Sequence, residues 1–433
     1  MAAHATRRRT AIPEGDGCPA ATDLLRQVGR LFAAPRAAGG RIGVEVELIC
    51  VSGRPPLPVA AARTRAAIAA ADPALLADAR VSFEPGGKVE LSPAPRPSAA
   101  ALLADLDVLL ARLRAALSAA GIVAVSAGMN PWHRAEQVGL QLDAERYTVM
   151  QRHFDAVGTA GREMMRLTAG LQVCVDLLPG AAGLEQWALA GRMGPALTAA
   201  FANSGVGRGE ATGWSSTRSL LWQRLDATRT GFDGSPVDPD DAVGAYSRFA
   251  AAALAMPLDR GRNAPVSPAS TSFGAWAAAG ASRPDPADVA HHLSTLFPPV
   301  RPRGYLEVRY LDAPPLAWLP APLLAVSLLL GDARARREAL CALEPADRGT
   351  LLALWHAAAH QGITNPWLRH EARVLVDVAL SAARRLPPDA APPHAAALLA
   401  RWRDSHLCTG RCWSDDQVER INGPDAEDPG AWT

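Results

Sequence analysis

Two glutamates separated by one residue mark the part of the chain where chemistry is expected. In residues 41–50, Glu45 and Glu47 alternate with the apolar Val44 and Val46. Because successive side chains of a β-strand point to opposite faces, both carboxylates would lie on the same face of one strand. On this stretch alone, a solvated outer strand face is enough to explain the pair.

Three further stretches repeat this alternation of polar and apolar residues. One of them contains a Pro-Gly-Gly turn signal at residues 85–87, so two strand ends are expected to meet there. The polar positions are Glu84, Lys88, Glu90 and Ser92 around the turn, Gln172, Cys174 and Asp176 in 169–177, and Tyr305, Glu307 and Arg309 in 304–311. This repetition favours one shared sheet face over the outer faces of separate strands.

So many carboxylates on one face would repel one another strongly unless cations lay between them. Ligand sets made only of oxygen atoms suit Mg²⁺ or Mn²⁺ better than Zn²⁺. Mg²⁺ in turn commonly binds nucleotide phosphates, and an arginine such as Arg309 can stabilise a phosphoryl group during its transfer. The pattern therefore predicts a cation-dependent nucleotide site.

The composition of the 433 residues excludes several classes of protein. The hydrophobic content of 49% suffices for a large core, and 44 basic against 43 acidic residues give no sign of a nucleic-acid-binding surface. The basic run at residues 7–9 is not followed by the apolar segment of an export signal, so we expect a cytoplasmic protein. The apolar stretch 316–330 is too short to cross a bilayer, and no membrane partner is expected.

Several familiar catalytic motifs are missing from the sequence. There is no Gly-x-x-x-x-Gly-Lys-Ser/Thr phosphate loop and no Gly-x-Ser-x-Gly nucleophile elbow. His370-Glu371 begins like a zinc-protease helix, but Val374 stands where the second histidine is required. The six cysteines form no Cys-x-x-Cys pair, so free thiols are expected. A metal-dependent hydrolase is therefore a weak alternative.

The order of predicted elements indicates an α+β fold in which helices and long connections join the strands of one sheet. We expect a loose tail at residues 1–20 and a single catalytic domain over 21–405, with helices over 314–403. Residues 406–433 are rich in Gly, Pro and Asp, and we expect them to be frayed.

An ordered set of short motifs extends over about residues 41–312. They are Gly43 to Glu47, Phe83 to Ser92, Arg146-Tyr147, 157–161, Met164-Met165, Gln172-Val173, 201–204, 213–222, Asp226, 229–231, 292–298 and 306–309. Taken together, these motifs resemble the second family of glutamate–cysteine ligases, which contains the plant enzyme and bacterial relatives. They look most like its actinobacterial branch, which makes γ-glutamylcysteine for ergothioneine synthesis.

The resemblance implies a glutamine-synthetase-like fold, with a curved, mainly antiparallel sheet, the active site on its concave face and helices behind. It also implies that ATP drives the coupling of L-glutamate to L-cysteine through a γ-glutamyl phosphate. The implied roles are catalysis for Arg309 and Glu84; ATP binding for Glu47, Glu307 and Arg309; cation binding for Glu45, Glu47, Glu84, Glu90 and Glu307; and substrate binding for Arg218, Gln172, Tyr147, Trp222 and Arg229. Mg²⁺ or Mn²⁺ is the implied cofactor, and Arg218 is the expected clamp on a glutamate carboxylate.

Two positions depart from the family pattern. Cys174 stands where an asparagine is usual, and a thiol is a weak hydrogen-bonding group, so Cys174 is not counted as a site residue. Lys88 replaces a neutral amide and adds a positive charge beside Glu90, which would weaken one cation position. Two alternatives stay open: a ligase that joins glutamate to another amine, and a non-catalytic relative that binds a ligand.

Overall fold

The computed structural model describes residues 19–35, 40–77, 80–258, 270–279 and 283–433. We expected a loose tail at residues 1–20, and residues 1–18 of it lie outside the described residues. The first helix begins at Pro19. One cluster of buried apolar side chains extends from Leu24 near the start of the described chain to Trp413 near its end.

The strands are β1 (Ile42–Ser52), β2 (Leu57–Pro58), β3 (Val81–Phe83), β4 (Val89–Leu91), β5 (Val123–Val125), β6 (Gly170–Asp176), β7 (Val206–Gly207), β8 (Glu210–Ala211), β9 (Val300–Pro302) and β10 (Tyr305–Asp312). The main sheet has the strand order β3-β4-β1-β6-β10-β9, and every neighbouring pair in it is antiparallel. Strand β1 continues beyond this row and pairs there with β2 and β5. The predicted α+β class with a mainly antiparallel sheet is confirmed.

The α-helices are α1 (Pro19–Leu31), α2 (Ala61–Ala71), α3 (Ala74–Ala77), α4 (Ala99–Ser118), α5 (Ala135–Val138), α6 (Glu145–Asp155), α7 (Ala160–Leu167), α8 (Ala181–Arg192), α9 (Gly194–Ala200), α10 (Thr217–Gln223), α11 (Ala227–Thr230), α12 (Ala242–Ala252), α13 (Phe273–Ala278), α14 (Pro286–Ser294), α15 (Pro320–Gly331), α16 (Ala333–Ala342), α17 (Arg348–Gln361), α18 (Pro366–Arg385), α19 (Ala395–Trp402) and α20 (Trp413–Ile421). Helices α4 and α15 pack on the apolar face of the sheet, where Val44, Val46 and Leu48 of β1 are buried. That packing leaves the opposite, polar face of the strands for the site.

The strand register brings the alternating polar positions side by side. Glu47 of β1 lies opposite Glu90 of β4, and Glu45 lies opposite Gln172 of β6. Further across the sheet, Glu307 of β10 lies opposite Arg301 of β9. The expected shared face is therefore formed by five adjacent strands, β4, β1, β6, β10 and β9.

The pairing of β10 with β6 shifts between Val308 and Leu311, so Arg309 lies in a β-bulge. The backbone N–H of Arg309 donates to the carbonyl oxygen of Pro299 at 2.9 Å and leaves the regular ladder with β6. A bulge of this kind redirects a side chain. Here it directs the Arg309 guanidinium toward Gln172 and Glu307 on the polar face.

The structure corrects the expectation of a frayed end at residues 406–433. Helix α20 forms there, and Trp413, Ser414 and Gln417 on it are buried. The ring of Trp432 is also buried, within a small apolar cluster that includes Ile49 of β1. The Gly, Pro and Asp content suggested a loose end because it gives no information on long-range contacts.

No single helix in the described ranges is long and apolar enough to cross a membrane; only Leu316–Gly331 and Ala333–Ala342 taken together, bent by 95°, reach that length and composition.

Candidate active site

A cavity of about 270 Å³ opens over the polar face of the sheet. Its base is the carboxylate floor, which we define as the side chains of Glu45, Glu47, Glu84 and Glu90. The structure therefore brings together in one cavity the glutamates that the sequence predicted on β1 and around the Pro-Gly-Gly turn.

The wall of the cavity comes from helices that cross above the floor. Tyr147 projects from α6, Met164 and Met165 from α7, and Arg218 and Trp222 from α10. Helix α10 begins where the Ser216 hydroxyl accepts a hydrogen bond from the N–H of Ser219, which fixes its first turn. Gln172 and Arg309 from the sheet complete the set of predicted residues that line the cavity.

Burial disfavours the ionised form of three glutamates of the floor, Glu45, Glu84 and Glu90. Desolvation, together with the nearby Glu90 and Glu307, raises the pKa of Glu45 to about 8. Desolvation and the neighbouring Glu47 raise the pKa of Glu84 to about 7, and the same two causes raise the pKa of Glu90. No described residue donates a side-chain hydrogen bond to Glu45 or Glu84. These two carboxylates therefore have free oxygens that face the cavity.

Glu47 has several partners within the protein, in contrast to Glu45 and Glu84. Its oxygens accept from the backbone N–H of Gly170 at 3.0 Å and from the Gln172 amide at 3.4 Å. The ammonium of Lys88 lies 3.5 Å from Glu47 and also donates to the carbonyl oxygen of Thr168. Lys88, which we expected to affect the floor near Glu90, is thus buried in an ion pair with Glu47.

Glu307 lies within the arginine cluster, which we define as Arg301, Arg303 and Arg309. The Arg301 guanidinium donates two hydrogen bonds to Glu307, at 2.9 and 2.8 Å. Arg309 donates to the same carboxylate, and an Nη1 atom of Arg303 lies 3.8 Å from it. Burial alone would raise the pKa of Glu307, but Arg309 and Arg301 outweigh it and hold this pKa at about 2.

This pairing changes the interpretation of Glu307, for which we expected direct contact with a cation and with ATP. The side chain is fully buried, and it is not among the described residues that line the cavity. Since both of its oxygens already accept from arginines, the geometry favours a role in holding the arginine cluster in place.

Arg218 is buried at the edge of the cavity, between the sheet and α10. Its Nη2 donates to the carbonyl oxygen of Arg309 at 2.8 Å, and its Nη1 lies 3.9 Å from Asp312. The guanidinium carbons of Arg218 and Arg309 lie 5.9 and 5.8 Å from the centre of the Trp222 ring. A Cβ at Gly170 would lie 2.5 Å from Nη2 of Arg218, so a larger residue there would displace the guanidinium.

The structure does not bring Arg229 into the cavity, which corrects its prediction as a substrate-binding residue. The side chain has no solvent exposure. Its guanidinium donates to Thr295 at 3.0 Å and to the carbonyl oxygen of Leu254, and it lies 3.3 Å from Asp226. Arg229 lies on α11 and connects this helix to the neighbouring loops. A sequence motif alone could not distinguish that structural role from substrate binding.

Sequence reasoning missed two charged groups that the site depends on. Arg301 sits on β9, which is three residues long and ends in proline, so it gave no alternation to recognise. Asp312 follows the bulge in β10 and points behind Arg218, away from the floor. A signal for Arg301 existed, because it lies two residues before Arg303 and six before Glu307 in a run rich in arginine.

A second cavity of about 270 Å³ adjoins the first and shares Glu45 with it. Its lining includes Cys174, Tyr305, Pro93 and Pro95. Desolvation raises the pKa of the Cys174 thiol well above its usual value, so this group stays protonated. The two cavities together provide room over one sheet face for two ligands.

Acidic oxygens without partners, two guanidinium groups and an aromatic ring that face one cavity define a class of site. It suits an anionic ligand whose charge is balanced partly by arginine and partly by bound cations. The sequence matches the family described as glutamate-cysteine ligase family 2 (GCS2) over residues 41–431. The chain therefore belongs to glutamate–cysteine ligase family 2, as the motifs predicted.

Individual relatives agree with this membership. The glutamate–cysteine ligase EgtA of Mycolicibacterium smegmatis is 36% identical over 356 residues, which cover 81% of either chain. The chloroplastic glutamate–cysteine ligase of Arabidopsis thaliana is 32% identical over 260 residues, which are 58% of this chain and 49% of the plant protein. A crystal structure of a glutamate–cysteine ligase from Francisella tularensis, in complex with AMP, has a TM-score of 0.55 at 13% identity and covers 90% of this chain and 86% of that one. This last likeness supports the fold.

Proposed function

We propose that this chain joins the γ-carboxylate of L-glutamate to the amino group of L-cysteine at the expense of ATP, and so supplies γ-glutamylcysteine for ergothioneine synthesis. One observation carries the proposal: the carboxylate floor faces Arg218 and Arg309 across a single cavity. Family membership and the names of the relatives agree with this reaction.

The chemical difficulty is that a carboxylate is a poor electrophile. In the first step, an oxygen of the γ-carboxylate would attack the terminal phosphorus of ATP, and ADP would leave. In the second step, the neutral amine of cysteine would attack the acyl carbon, inorganic phosphate would leave, and the amine would lose a proton. Arg309, at the edge of the carboxylate floor, is placed to stabilise negative charge on the transferring phosphoryl group.

The free oxygens of the carboxylate floor fit divalent cations. Desolvated glutamates with raised pKa values, such as Glu45 and Glu84, are stabilised in their ionised form by a nearby cation. Within the described ranges, no three acidic, histidine or cysteine side chains are arranged to ligate one ion directly. Mg²⁺ commonly uses one or two carboxylates together with nucleotide phosphates and water, so a site of this kind does not require three such side chains. Mg²⁺ or Mn²⁺ held by Glu45, Glu47, Glu84 and Glu90 would neutralise the triphosphate.

The amino-acid end of the site is placed beside Arg218. Its guanidinium can pair with a substrate carboxylate, while the Trp222 ring below both guanidinium groups excludes water from that pair. Tyr147 and Gln172 line the same cavity and offer a hydroxyl and an amide to the rest of the amino acid.

In this proposal the nucleotide extends over both cavities, which share Glu45. Its phosphates lie over the carboxylate floor and its base lies in the second cavity. Pro93, Pro95 and the Tyr305 ring give that cavity flat apolar surfaces on which a base can pack. Cys174 lies there as a neutral thiol, so its departure from the family pattern concerns the nucleotide end more than glutamate.

The test is the dependence of ADP formation on the amine, measured with ATP, Mg²⁺ and L-glutamate. L-cysteine is expected to raise the rate of ADP formation well above that with glutamate alone, and γ-glutamylcysteine should accumulate one for one with ADP. A rate that rises only with a different amine would identify the alternative ligase. No ADP formation with any amine, together with retained nucleotide binding, would identify a non-catalytic relative.

A further inference from the structure

Helix α20 is hydrogen-bonded to residues 203–216, the segment that precedes Arg218 and is called the 203–216 loop below. The Ser414 hydroxyl accepts from the backbone N–H of Ser204 at 3.1 Å and donates to the carbonyl oxygen of Ser215. The Gln417 side chain accepts from the N–H of Gly205 at 3.0 Å and donates to both oxygens of Asn203 at 2.8 Å. Both side chains are buried, so these hydrogen bonds are shielded from competing water.

The same loop carries the partners of Asp312. The backbone N–H of Asn203 donates to this carboxylate at 2.8 Å, and the hydroxyls of Ser204 and Ser216 donate at 2.7 and 3.0 Å. A Cβ at Gly128 would lie 2.5 Å from the carboxyl carbon of Asp312. Asp312 is therefore confined on one side by Gly128 and held on the other by the 203–216 loop.

Arg218 is tied to this buried network at both its backbone and its side chain. Its N–H donates to the hydroxyl of Ser204 at 3.1 Å, and its Nη1 lies 3.9 Å from Asp312. The path from Gln417 to the Arg218 guanidinium thus passes only through Asn203, Ser204 and Asp312. A shift of this loop would alter the backbone contact of Arg218 and the carboxylate that faces its guanidinium.

The C-terminal end of α17 supports the loop from another side. The carbonyl oxygens of His360 and Ala359 accept from the N–H groups of Ser215 and Ser216, at 3.2 and 2.9 Å. Carbonyls in the last turn of a helix lack partners within the helix, so these bonds satisfy both the helix end and the loop. The helices after residue 314 thereby reach the site without lining it.

We infer that α20 is a positioning element of the amino-acid end of the site, and that Gln417 and Ser414 set the place of Arg218 through the Asn203–Ser204–Asp312 network. This inference rests on the proposed function, in which Arg218 binds a glutamate carboxylate. Neither Gln417 nor Ser414 lines the cavity, so both act only through the network. A misplacement of about 1 Å at a substrate-binding group can cost up to about a hundredfold in rate or affinity.

The test compares Gln417→Met and Ser414→Ala with Glu419→Gln, an exposed residue of α20 that pairs with Arg411. Methionine keeps the volume of Gln417 and removes its hydrogen bonds. The KM for L-glutamate is expected to rise about tenfold in both buried variants, with a KM for ATP near the wild-type value. The Glu419→Gln control should match the wild type in both constants.

The split between the two KM values separates positioning from stability. A variant that is only less stable has fewer active molecules, which lowers the apparent kcat and leaves both KM values unchanged. That result in the Gln417→Met and Ser414→Ala variants overturns the inference. Arg218→Lys is measured in parallel: if it raises the KM for glutamate and the α20 variants do not, only the inference fails. If Arg218→Lys leaves that KM unchanged, the proposed role of Arg218 fails as well.

Discussion

Glutamates on the two sides of the polar sheet face are in opposite electrostatic states. On the side of β1 and β4, Glu45 and Glu84 have raised pKa values of about 8 and 7 and face the cavity. On the side of β10 and β9, Glu307 is buried among arginines and its pKa is about 2. All three are buried or partly buried glutamates at the same sheet face, and the available counter-charges make the difference.

This contrast indicates a division of labour between the two sides. Glu45 and Glu84 of the carboxylate floor keep unneutralised acidic oxygens, which an incoming cation can use. Arg301 and Arg309 of the arginine cluster are hydrogen-bonded to Glu307, so their guanidinium groups keep a fixed geometry before any ligand arrives. A preorganised positive group costs no rearrangement during phosphoryl transfer.

The largest effect is expected from removing charge in the carboxylate floor. Glu45→Gln and Glu84→Gln should each lower kcat for ADP formation by about a thousandfold, because the cations that neutralise the triphosphate lose a ligand. Circular dichroism should show an intact fold in both variants. Glu338→Gln, which removes an exposed carboxylate paired with Arg334 on α16, should leave kcat unchanged. Near-normal activity in both floor variants would contradict the cation assignment.

On the other side of the comparison, Arg309→Lys should lower kcat by about a hundredfold. Lysine keeps the positive charge but loses the planar group that contacts both Gln172 and Glu307. Steady-state kinetics of ADP formation at saturating substrate measure this loss. A kcat within a factor of a few of the wild type would mean that Arg309 acts only through its charge.

Glu307→Gln should affect stability more than cation binding. The substitution leaves the partly buried Arg301 without its counter-charge, and breaking a buried ion pair costs about 3–5 kcal/mol of unfolding free energy. Urea denaturation measures this loss, and Mn²⁺ titration should show an affinity close to that of the wild type. A large loss of Mn²⁺ affinity at unchanged stability would instead show that Glu307 binds a cation, as the sequence predicted.

The pH dependence of stability should reveal the free-energy cost of ionising the buried Glu45. The folded chain holds the proton of Glu45 more tightly than the unfolded chain, because its pKa rises from 4.5 to about 8 on folding. The stability from this protonated group is present at low pH and is lost as the pH rises from 4.5 through 8. In the absence of divalent cations at pH 8, the Glu45→Gln variant should therefore have a Tm roughly a few degrees higher than that of the wild type. An equal pH dependence in both proteins would contradict this account.

The smallest effect is expected from Lys88→Gln. Removal of the ammonium that lies 3.5 Å from Glu47 should tighten Mn²⁺ binding about fivefold, because a like charge no longer opposes the cation. Isothermal titration with Mn²⁺ measures the change. Weaker Mn²⁺ binding would show instead that Lys88 is needed to hold Glu47 in place.

Much of the fold and of the site was predictable from local sequence. The alternation around Glu45 and Glu47 placed both on one strand face, and the repeats brought Glu84, Glu90 and Gln172 to the same cavity. The motif that carries Arg218 likewise led to a residue at the cavity edge. The strand faces were predictable because a period of two is a local property of a strand, whereas Arg218 followed from the resemblance to the family.

Two of the predictions that failed concern partners distant in sequence. Arg229 has the residue type of a substrate ligand, but it is buried against Thr295 and Leu254. The segment after 406 has the composition of a loose end, but its Gln417 and Trp432 are buried. In each case the deciding contacts join residues tens to hundreds of positions apart, which composition and periodicity do not encode.

The sequence by itself determined the family, the strand faces and the identity of the acidic residues, because each follows from short motifs and alternation. Only the tertiary structure decided which of these glutamates are left without partners. Arg301 neutralises Glu307 and Lys88 neutralises Glu47, whereas Glu45 and Glu84 face the cavity. The physical reason is that the ionisation of a buried carboxylate depends on the charges within a few ångströms of it, and those distances are set by how the chain folds.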